Sequence, residues 1–401
     1  MLKYFGKRNT GRESTWRAFP FQTREAQAFP PAPSGCNDVL SANPRLSGQV
    51  FPRQLRSETQ LNYRCVARDG GNKLSSLLDC YTGGMKALVI TRFGGPEVLE
   101  VQEVPDPHVG PEQTLVQVEA GGLNFADLLT ARGGYPGTPK PPLVAGREFA
   151  GVDVASGRRV MGYTQWSAFA EKTAAYRALL WPVPEAWSAE QGAAFPVTFF
   201  TAYFAYWRAG LLDKSPGTRV LIHAVAGGVG TAAVQIGKIL GVEMYGTSSS
   251  DEKLARVREL GLQHGINYKQ KDYQDAIKEL TKGEGVDAVF EMLGGEHVAK
   301  SVKCLREFGR VIEYGAATGE PPVLDTRLLH AKGTSVHGLW LSYLSHNRAL
   351  MDSAWKQLSQ WLAEGKLHPV IGKVFPLEEA RAAYTLMQEG KNYGKIVLKI
   401  R

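Results

Sequence analysis

A glycine-rich turn is the segment whose residue types and spacing point most directly to chemistry. In Ala226-Gly227-Gly228-Val229-Gly230, three glycines follow an apolar run and precede an amphipathic stretch that ends at Gly241. A strand, a glycine turn and a helix let the backbone approach a pyrophosphate, whose charge meets free N–H groups at the helix N-terminus. The turn therefore predicts a dinucleotide-binding site, although Val225 replaces the first glycine of the usual fingerprint. The alternative is a tight packing turn without a ligand, which the further strands behind it disfavour.

The end of the second predicted strand indicates which dinucleotide would bind. An NAD site usually has an acidic residue there, about 20 residues after the glycines, for the ribose 2′-hydroxyl. Here the strand ends in serines, and Asp251 and Glu252 fall at the start of the next helix, where Ser249 and Glu252 form a predicted capping box. Ser248 and Lys253 could hold a 2′-phosphate, unless Lys253 is only a solvated helix residue. The missing acid therefore predicts NADPH.

The sequence does not encode a zinc site. Such a site needs three or four Cys, His or carboxylate ligands. No cysteine lies between residues 80 and 304, and no histidine lies between residues 108 and 223. Alcohol dehydrogenation is poorly supported without a Lewis acid to stabilise the alkoxide. Glu148 either pairs with a cation of the cleft or satisfies buried backbone donors, and we favour the second role.

Two different patterns position these residues. Residues 85–203 form short predicted strands broken by glycine and proline, which is typical of an antiparallel β-rich module. Strands and helices alternate over residues 204–338, including a helix predicted at 297–308, which favours a doubly wound parallel sheet of the Rossmann type. Residues 339–401 return to strand–helix–strand and are expected to pack back on the first module. The predicted class is therefore α/β.

Residues 1–84 differ from the rest of the chain. They lack a sustained helix or strand period and contain 12 Lys and Arg against 6 Asp and Glu, so most of the formal charge of +8 lies there. We interpret them as a disordered or misassigned extension before a working start at Met85, with an organellar transit peptide as the alternative.

The composition of residues 85–401 limits the kind of partner and the cellular compartment that we expect. These residues carry 35 basic and 33 acidic side chains, so we expect no nucleic-acid binding. No apolar run approaches the roughly 18 residues of a membrane helix. The four cysteines show no paired spacing, which is consistent with a reducing compartment and predicts a cytoplasmic protein.

Five motifs in a fixed order carry a family resemblance. They are Gly122-Leu-Asn-Phe-Ala-Asp127, Gly134-Tyr-Pro136, Gly146-Arg-Glu-Phe-Ala-Gly151, Pro196-Val-Thr-Phe-Phe-Thr-Ala202 and the glycine turn. Together they closely resemble the quinone oxidoreductase (zeta-crystallin-like) branch of the zinc-free medium-chain dehydrogenases/reductases, from Met85 to Arg401. The resemblance implies a GroES-like catalytic domain, a Rossmann domain, a cleft between them and a homodimer. It also implies hydride transfer from NADPH to a quinone or an α,β-unsaturated carbonyl.

The same resemblance assigns roles by position. It places Asn124 and Asp127 in the cleft beside the nicotinamide ribose and Tyr135 at the nicotinamide end, as catalytic candidates. The implied cofactor and cleft residues, besides the glycine turn, are Thr201, Ser248, Lys253, Tyr268, Gly315, Leu339, Trp340, Asn392 and Lys395.

The sequence leaves two questions open. Asn124 or Tyr135 could supply a hydrogen bond to the acceptor oxygen, or water could deliver the proton, while Tyr135 could also be a packing residue of its turn. Leu129 stands where many bacterial relatives have a tyrosine, so no tyrosine donor is available there. The alternative function is an NADPH-binding protein with a structural or regulatory role and little turnover.

Overall fold

The first half of the described chain is built from short, mostly antiparallel strands. The structure, a computed structural model, describes residues 84–213 and 217–401, so the extension predicted for residues 1–84 lies outside the described residues apart from Gly84. The elements of this half are β1 (Gly84–Ile90), β2 (Leu99–Pro105), β3 (Gln113–Leu123), α1 (Phe125–Ala131), β4 (Leu143–Val144), β5 (Glu148–Asp153), β6 (Arg159–Tyr163), β7 (Lys172–Tyr176), β8 (Leu180–Pro182) and α2 (Ala189–Ala193). Inward and outward residues alternate along β3, where Thr114, Val116 and Val118 are buried, as a strand with one face on a core requires.

The second half is a parallel sheet covered by helices. It comprises α3 (Pro196–Ala209), β9 (Arg219–Ile222), α4 (Gly228–Leu240), β10 (Glu243–Ser248), α5 (Asp251–Leu260), β11 (His264–Asn267), α6 (Tyr273–Leu280), β12 (Val286–Glu291), α7 (His297–Lys303), β13 (Leu305–Glu313), α8 (Arg327–His330) and β14 (Ser335–Gly338). The strand order is β11-β10-β9-β12-β13-β14, with every neighbouring pair parallel. Val220, Leu221 and Ile222 of β9 are all fully buried, because helices cover both faces of the sheet.

The C-terminal segment returns to the first half. It contains α9 (Leu341–Leu344), α10 (Arg348–Ala363), β15 (Ile371–Pro376), α11 (Ala380–Gln388) and β16 (Lys395–Lys399). β16 lies between β15 and β3 in the larger β-rich sheet. Just before β16, the Gly394 N–H donates to the Ala226 carbonyl at 2.7 Å, so the segment crosses the glycine turn.

The α/β class, the β-rich module and the doubly wound parallel sheet are confirmed, whereas two local predictions are wrong. The helix predicted at 297–308 ends at Lys303, because Leu305 already enters β13 and is fully buried beside Val286 of β12. The N-cap of α5 is Ser250 rather than Ser249, and its hydroxyl accepts from the Lys253 N–H at 3.4 Å. Within the described residues, no helix is long and apolar enough to cross a membrane.

Candidate active site

A cleft of about 460 Å³ opens at the carboxyl ends of the central parallel strands and extends under α1 and the segment before β16. Every predicted site residue except Asp127 lines it. These residues are Asn124, Tyr135, Thr201, Ala226, Gly227, Gly228, Val229, Gly230, Ser248, Lys253, Tyr268, Gly315, Leu339, Trp340, Asn392 and Lys395. The fold thus brings together positions that are up to 271 residues apart, such as Asn124 and Lys395.

Asp127 lies behind the cleft wall, so its predicted place in the cleft is wrong, and a role beside the cofactor stays a prediction. It is 2% exposed, and its carboxylate accepts from the Asn124 N–H at 2.8 Å at the start of α1. Its other oxygen is 3.6 Å from Nε of Arg147. Burial raises the pKa of this carboxyl to about 6, against the lowering effect of Arg147. Asp127 therefore starts a helix and offsets part of a buried positive charge.

The glycine turn has the close contacts that a nucleotide-binding turn needs. α4 begins at Gly228, and its cap residue Gly227 has no side chain to accept from the first-turn N–H groups. A Cβ on Gly230 would lie 2.5 Å from the Val225 carbonyl oxygen, so this position requires glycine. Val225 is fully buried against Gly246 of β10, where a Cβ would come within 2.7 Å of its side chain. The unusual Val225 is therefore accommodated by a glycine on the neighbouring strand, and the turn keeps its shape.

The far end of the cleft is polar and has no acidic side chain among the described lining residues. Ser248 is 5% exposed at the end of β10, and Ser249, Lys253 and Tyr268 lie around it. Nζ of Lys253 donates to the Gly390 carbonyl at 2.8 Å. Burial, followed by the charge of nearby Lys269, lowers the pKa of Lys253. This end therefore offers hydroxyls and one cation to an anionic group.

A buried ion pair lies at the opposite end, over the glycine turn. Nζ of Lys395 donates to Oε1 of Glu148 and, at 2.6 Å, to Oδ1 of Asn124. The Asn124 amide donates to the same Glu148 oxygen at 2.8 Å, while the Val197 N–H donates to the other at 2.7 Å. Lys395 is 3% exposed and Glu148 is fully buried. Glu148 thus fulfils both roles considered for it, because it pairs with a cation and satisfies a backbone donor.

Aromatic side chains form the wall beside Tyr135. The Trp340 indole N–H donates to the Tyr135 hydroxyl at 2.6 Å, and Oγ of Ser342 lies 3.0 Å from the same hydroxyl. The Arg147 guanidinium carbon lies 3.7 Å from the Tyr135 ring centroid and 4.4 Å from that of Trp166. The two contacts of the Tyr135 hydroxyl join parts of the chain that are distant in sequence, and sequence reasoning missed Ser342 and Trp166 altogether.

His223 borders the cleft floor and was also missed. Its Nδ1 lies 3.1 Å from the Thr247 hydroxyl and its Nε2 lies 3.2 Å from the Ser301 hydroxyl, which donates to Glu291. Burial lowers the pKa of His223 to about 4, with a smaller opposing effect of Glu291. The imidazole is therefore neutral at physiological pH and serves as a hydrogen-bonding support for the strand ends. The apolar strand around it gave the only sequence signal for its burial.

Gly146-Arg147-Glu148 corresponds to a Gly-His-Glu motif whose histidine binds zinc in zinc-dependent relatives, so Arg147 stands where that metal ligand would be. Its guanidinium is stacked on aromatic rings and cannot bind a metal ion. In the part of the chain that the structure describes, no group of three or more His, Cys, Asp or Glu side chains could hold a metal ion. The donor chemistry of this cleft is therefore that of amides, hydroxyls and ammonium groups.

Known proteins resemble this chain over nearly the whole of its described part, and two family models match segments of it. The model "Alcohol dehydrogenase GroES-like domain" matches residues 110–168, and the model "Zinc-binding dehydrogenase" matches residues 228–364. Quinone oxidoreductase-like protein 2 of Rattus norvegicus is 32% identical over 79% of this chain and 92% of its own length. The synaptic vesicle membrane protein VAT-1 homolog of Mus musculus is 36% identical over 78% and 83%, respectively.

A solved structure agrees with this placement. The quinone oxidoreductase from Thermus thermophilus, determined alone and in complex with NADPH, superposes with a TM-score of 0.69 at 36% identity, covering 79% of this chain and all of the other. Its fold, the order of the five motifs and the residues gathered at the cleft agree on one assignment. The chain belongs to the quinone oxidoreductase branch of the medium-chain dehydrogenases/reductases, an oxidoreductase family that binds NAD(P).

Proposed function

We propose that this protein is a zinc-independent, NADPH-dependent reductase of a quinone or an α,β-unsaturated carbonyl. The observation that carries the proposal is one cleft, lined by described residues, in which a glycine turn, an acid-free polar end and an amide–ammonium cluster meet. NADPH would supply the hydride. The protein's own contribution would be orientation, exclusion of water and stabilisation of the charge that develops on the acceptor oxygen.

The residues present fit the cofactor at both ends. The first-turn N–H groups of α4 and the close approach at Gly230 suit a pyrophosphate. Ser248, Lys253 and Tyr268 suit a 2′-phosphate, and no carboxylate among the described lining residues would repel it. Lys395 and Asn124 would lie beside the nicotinamide end, held by Glu148.

Cofactor preference gives a direct test. A hydrogen bond to a charged group contributes about 1.5–3 kcal/mol, so we expect Lys253 to favour NADPH over NADH by roughly tenfold or more. Titrating both cofactors by fluorescence should show this preference in the wild type and its loss in Lys253→Met. Lys238→Met, which removes an exposed lysine from the far end of α4, should keep it. Equal affinity of the wild type for both cofactors would refute the NADPH assignment.

The reaction itself is tested by NADPH oxidation with quinones, enals and enones, with and without a chelator. We expect turnover that the chelator leaves unchanged, because Arg147 replaces the metal-binding histidine. A chelator-sensitive rate would refute zinc independence. Binding of NADPH without turnover on any acceptor would instead support the alternative, an NADPH-binding protein with a structural or regulatory role. That alternative is kept because one relative is named for a synaptic vesicle membrane rather than for a reaction.

We also propose a cytoplasmic homodimer. β14 lies at the edge of the parallel sheet with β13 as its single neighbour among the described strands, and an unpaired strand edge is a natural place for a second copy to add its own strand. The single cysteine among the described residues, Cys304, is buried and free, as a reducing compartment allows. Sedimentation of the purified protein would test the dimer.

A further inference from the structure

The loop between α11 and β16, residues 389–394, contacts α5 at the polar end of the cleft. Nζ of Lys253 donates to the Gly390 carbonyl at 2.8 Å. The Arg256 guanidinium carbon lies 3.6 Å from the centroid of the Tyr393 ring. Lys253 and Arg256 are three residues apart on α5, so their side chains leave the helix on the same face. The loop is therefore attached to one face of α5 at two points.

These two contacts join the two halves of the chain. Leu254 and Val257 of α5 are buried against the parallel sheet. Ala383 and Tyr384 of α11 are buried in the core of the β-rich module. Because the loop extends from α11, its contacts with α5 bridge the cleft at the end where Ser248 lies. Loss of these contacts would let this end of the cleft widen.

The two contacts depend on the loop in different ways. The bond from Lys253 ends on a backbone carbonyl, so it requires only that the loop backbone stays in place. The contact with Arg256 uses the face of the Tyr393 ring, because an aromatic face attracts a cation. The aromatic side chain of Tyr393 therefore holds the loop against α5. The loop in turn keeps the Gly390 carbonyl within reach of Lys253.

The Lys253 ammonium keeps donors for a ligand. An ammonium group carries three N–H donors and no acceptor. The Gly390 carbonyl takes one of them, and no other acceptor in the described part of the chain takes the remaining two. Ser248 and Tyr268 line the same part of the cleft, where no described lining residue is acidic. The two remaining donors are therefore available to an anion in this part of the cleft.

We propose that Arg256 and Tyr393 are positioning residues for the 2′-phosphate of NADPH. They hold the loop whose Gly390 carbonyl fixes the Lys253 ammonium. The inference rests on the NADPH preference in the proposed function. A lysine side chain has many rotamers, and immobilising it on binding lowers the affinity for the ligand. The bond to Gly390 restricts the side chain before the cofactor arrives, so less affinity is lost.

Tyr393→Leu tests this assignment, because it removes the ring and keeps an apolar side chain. The assay is fluorescence titration with NADPH and with NADH, which differ only in the 2′-phosphate. Immobilising one lysine side chain changes affinity by about twofold to tenfold. We therefore expect Tyr393→Leu to weaken NADPH binding by about fivefold and NADH binding by less than about twofold. A residue that only stabilised the fold or closed the cleft would change both affinities alike.

Three single variants accompany this measurement. Tyr393→Phe keeps the ring and should keep the wild-type affinity for NADPH. Arg256→Gln removes the cation and must show the same selective loss as Tyr393→Leu. Because Arg256 is exposed, this variant also tests the proposal if Tyr393→Leu does not fold. Arg258→Gln removes another exposed arginine of α5, which lies beside Gly265 of β11, and should bind both cofactors like the wild type.

A double variant separates positioning of Lys253 from a direct effect on the cofactor. In Lys253→Met, no ammonium remains to be positioned. Adding Tyr393→Leu to this variant should therefore change NADPH affinity by less than about twofold, because the two substitutions remove the same interaction. Adenosine 2′,5′-bisphosphate and 5′-AMP repeat the comparison without a nicotinamide. Only the bisphosphate should bind more weakly to Tyr393→Leu than to the wild type.

The outcomes are distinct. Wild-type NADPH affinity in both Tyr393→Leu and Arg256→Gln, or an equal loss for both cofactors, would refute the positioning role. So would additive losses in the double variant, because Tyr393 would then act without Lys253. A Tyr393→Phe variant as weak as Tyr393→Leu would refute the role of the ring. All of these results leave the NADPH preference of the wild type standing. If the wild type binds NADPH and NADH equally, the proposed cofactor preference is refuted, and this inference with it.

Discussion

The buried pair of Glu148 and Lys395 allows a quantitative test of how the cleft is held together. Glu148 is fully buried and Lys395 is 3% exposed, so solvent screens neither charge. In Glu148→Gln, the side-chain oxygen and the Asn124 amide oxygen still surround the ammonium, but its counter-charge is gone. Removing one partner of a buried ion pair costs about 3–5 kcal/mol, because the remaining charge stays desolvated. We expect Glu148→Gln to lose free energy of unfolding in this range.

The assay is thermal unfolding of four proteins: the wild type, Glu148→Gln, Lys395→Met and the double variant. For a folded chain of this size, a loss of 1 kcal/mol in the free energy of unfolding lowers Tm by about 2 °C. Each single variant should therefore melt roughly 6–10 °C below the wild type. The double variant should recover most of this loss, because it leaves no unpaired charge. Asp352→Asn breaks the exposed pair of Arg348 and Asp352 on α10 and should cost no more than about 0.5 kcal/mol.

Additive losses would refute the reasoning. If the double variant melts as low as the sum of the two single losses predicts, the charges do not stabilise each other, and the cost comes from packing alone. A Glu148→Gln variant that melts like Asp352→Asn would show that water reaches the pair.

Three further predictions concern the turn and two buried titratable groups. Gly230→Ala should lower Tm strongly, because its Cβ would lie 2.5 Å from the Val225 carbonyl oxygen. Gly227→Ala, whose Cβ would lie 3.3 Å from its nearest neighbouring atom, should change Tm much less in the same thermal unfolding experiment. The pKa of Asp127 rises on folding from 3.8 to about 6, so the stability that Asp127 contributes is present below pH 3.8 and is lost as the pH rises through 6. Asparagine does not titrate, so the difference between the Tm of Asp127→Asn and that of the wild type should shift in favour of the variant as the pH rises through this window. The pKa of His223 falls on folding from 6.5 to about 4, so the stability that His223 contributes is present above pH 6.5 and is lost as the pH falls toward 4. Because glutamine does not titrate, the Tm of His223→Gln should fall less than the Tm of the wild type as the pH is lowered from 6.5 to 4. An unchanged pH dependence in either variant would contradict the corresponding shift.

The features that were predictable from the sequence are those encoded locally. The strand, glycine turn and helix around Gly230 are contiguous, and the missing acid after β10 is visible at a fixed spacing. The position of Asp127 was predictable in principle, because an acid three residues after Asn124 at the start of a helix is a capping pattern. The family motif drew attention to its place beside Asn124 instead of to this local role.

The parts that escaped prediction depend on long-range contacts. The contacts of Tyr135 with Trp340 and Ser342 span 205 and 207 residues, and no periodicity reports such a pair. The same holds for Glu148, whose two roles became clear only when Lys395 and Val197 were seen on either side of it. The three serines before α5 left the cap ambiguous by one residue, because each can accept from a first-turn N–H.

The place of β16 in the β-rich sheet has a consequence for biosynthesis. β16 pairs with β3, where Ile396 lies opposite Leu123, so an interior strand of that sheet is translated only after the whole nucleotide-binding half. Until β16 is translated, β3 has an unpaired edge in the β-rich sheet, whereas the strands of the parallel sheet have all been translated and can fold first. A stop codon just before β16 would remove this interior strand together with Lys395, and would leave a complete parallel sheet attached to a β-rich module that cannot close.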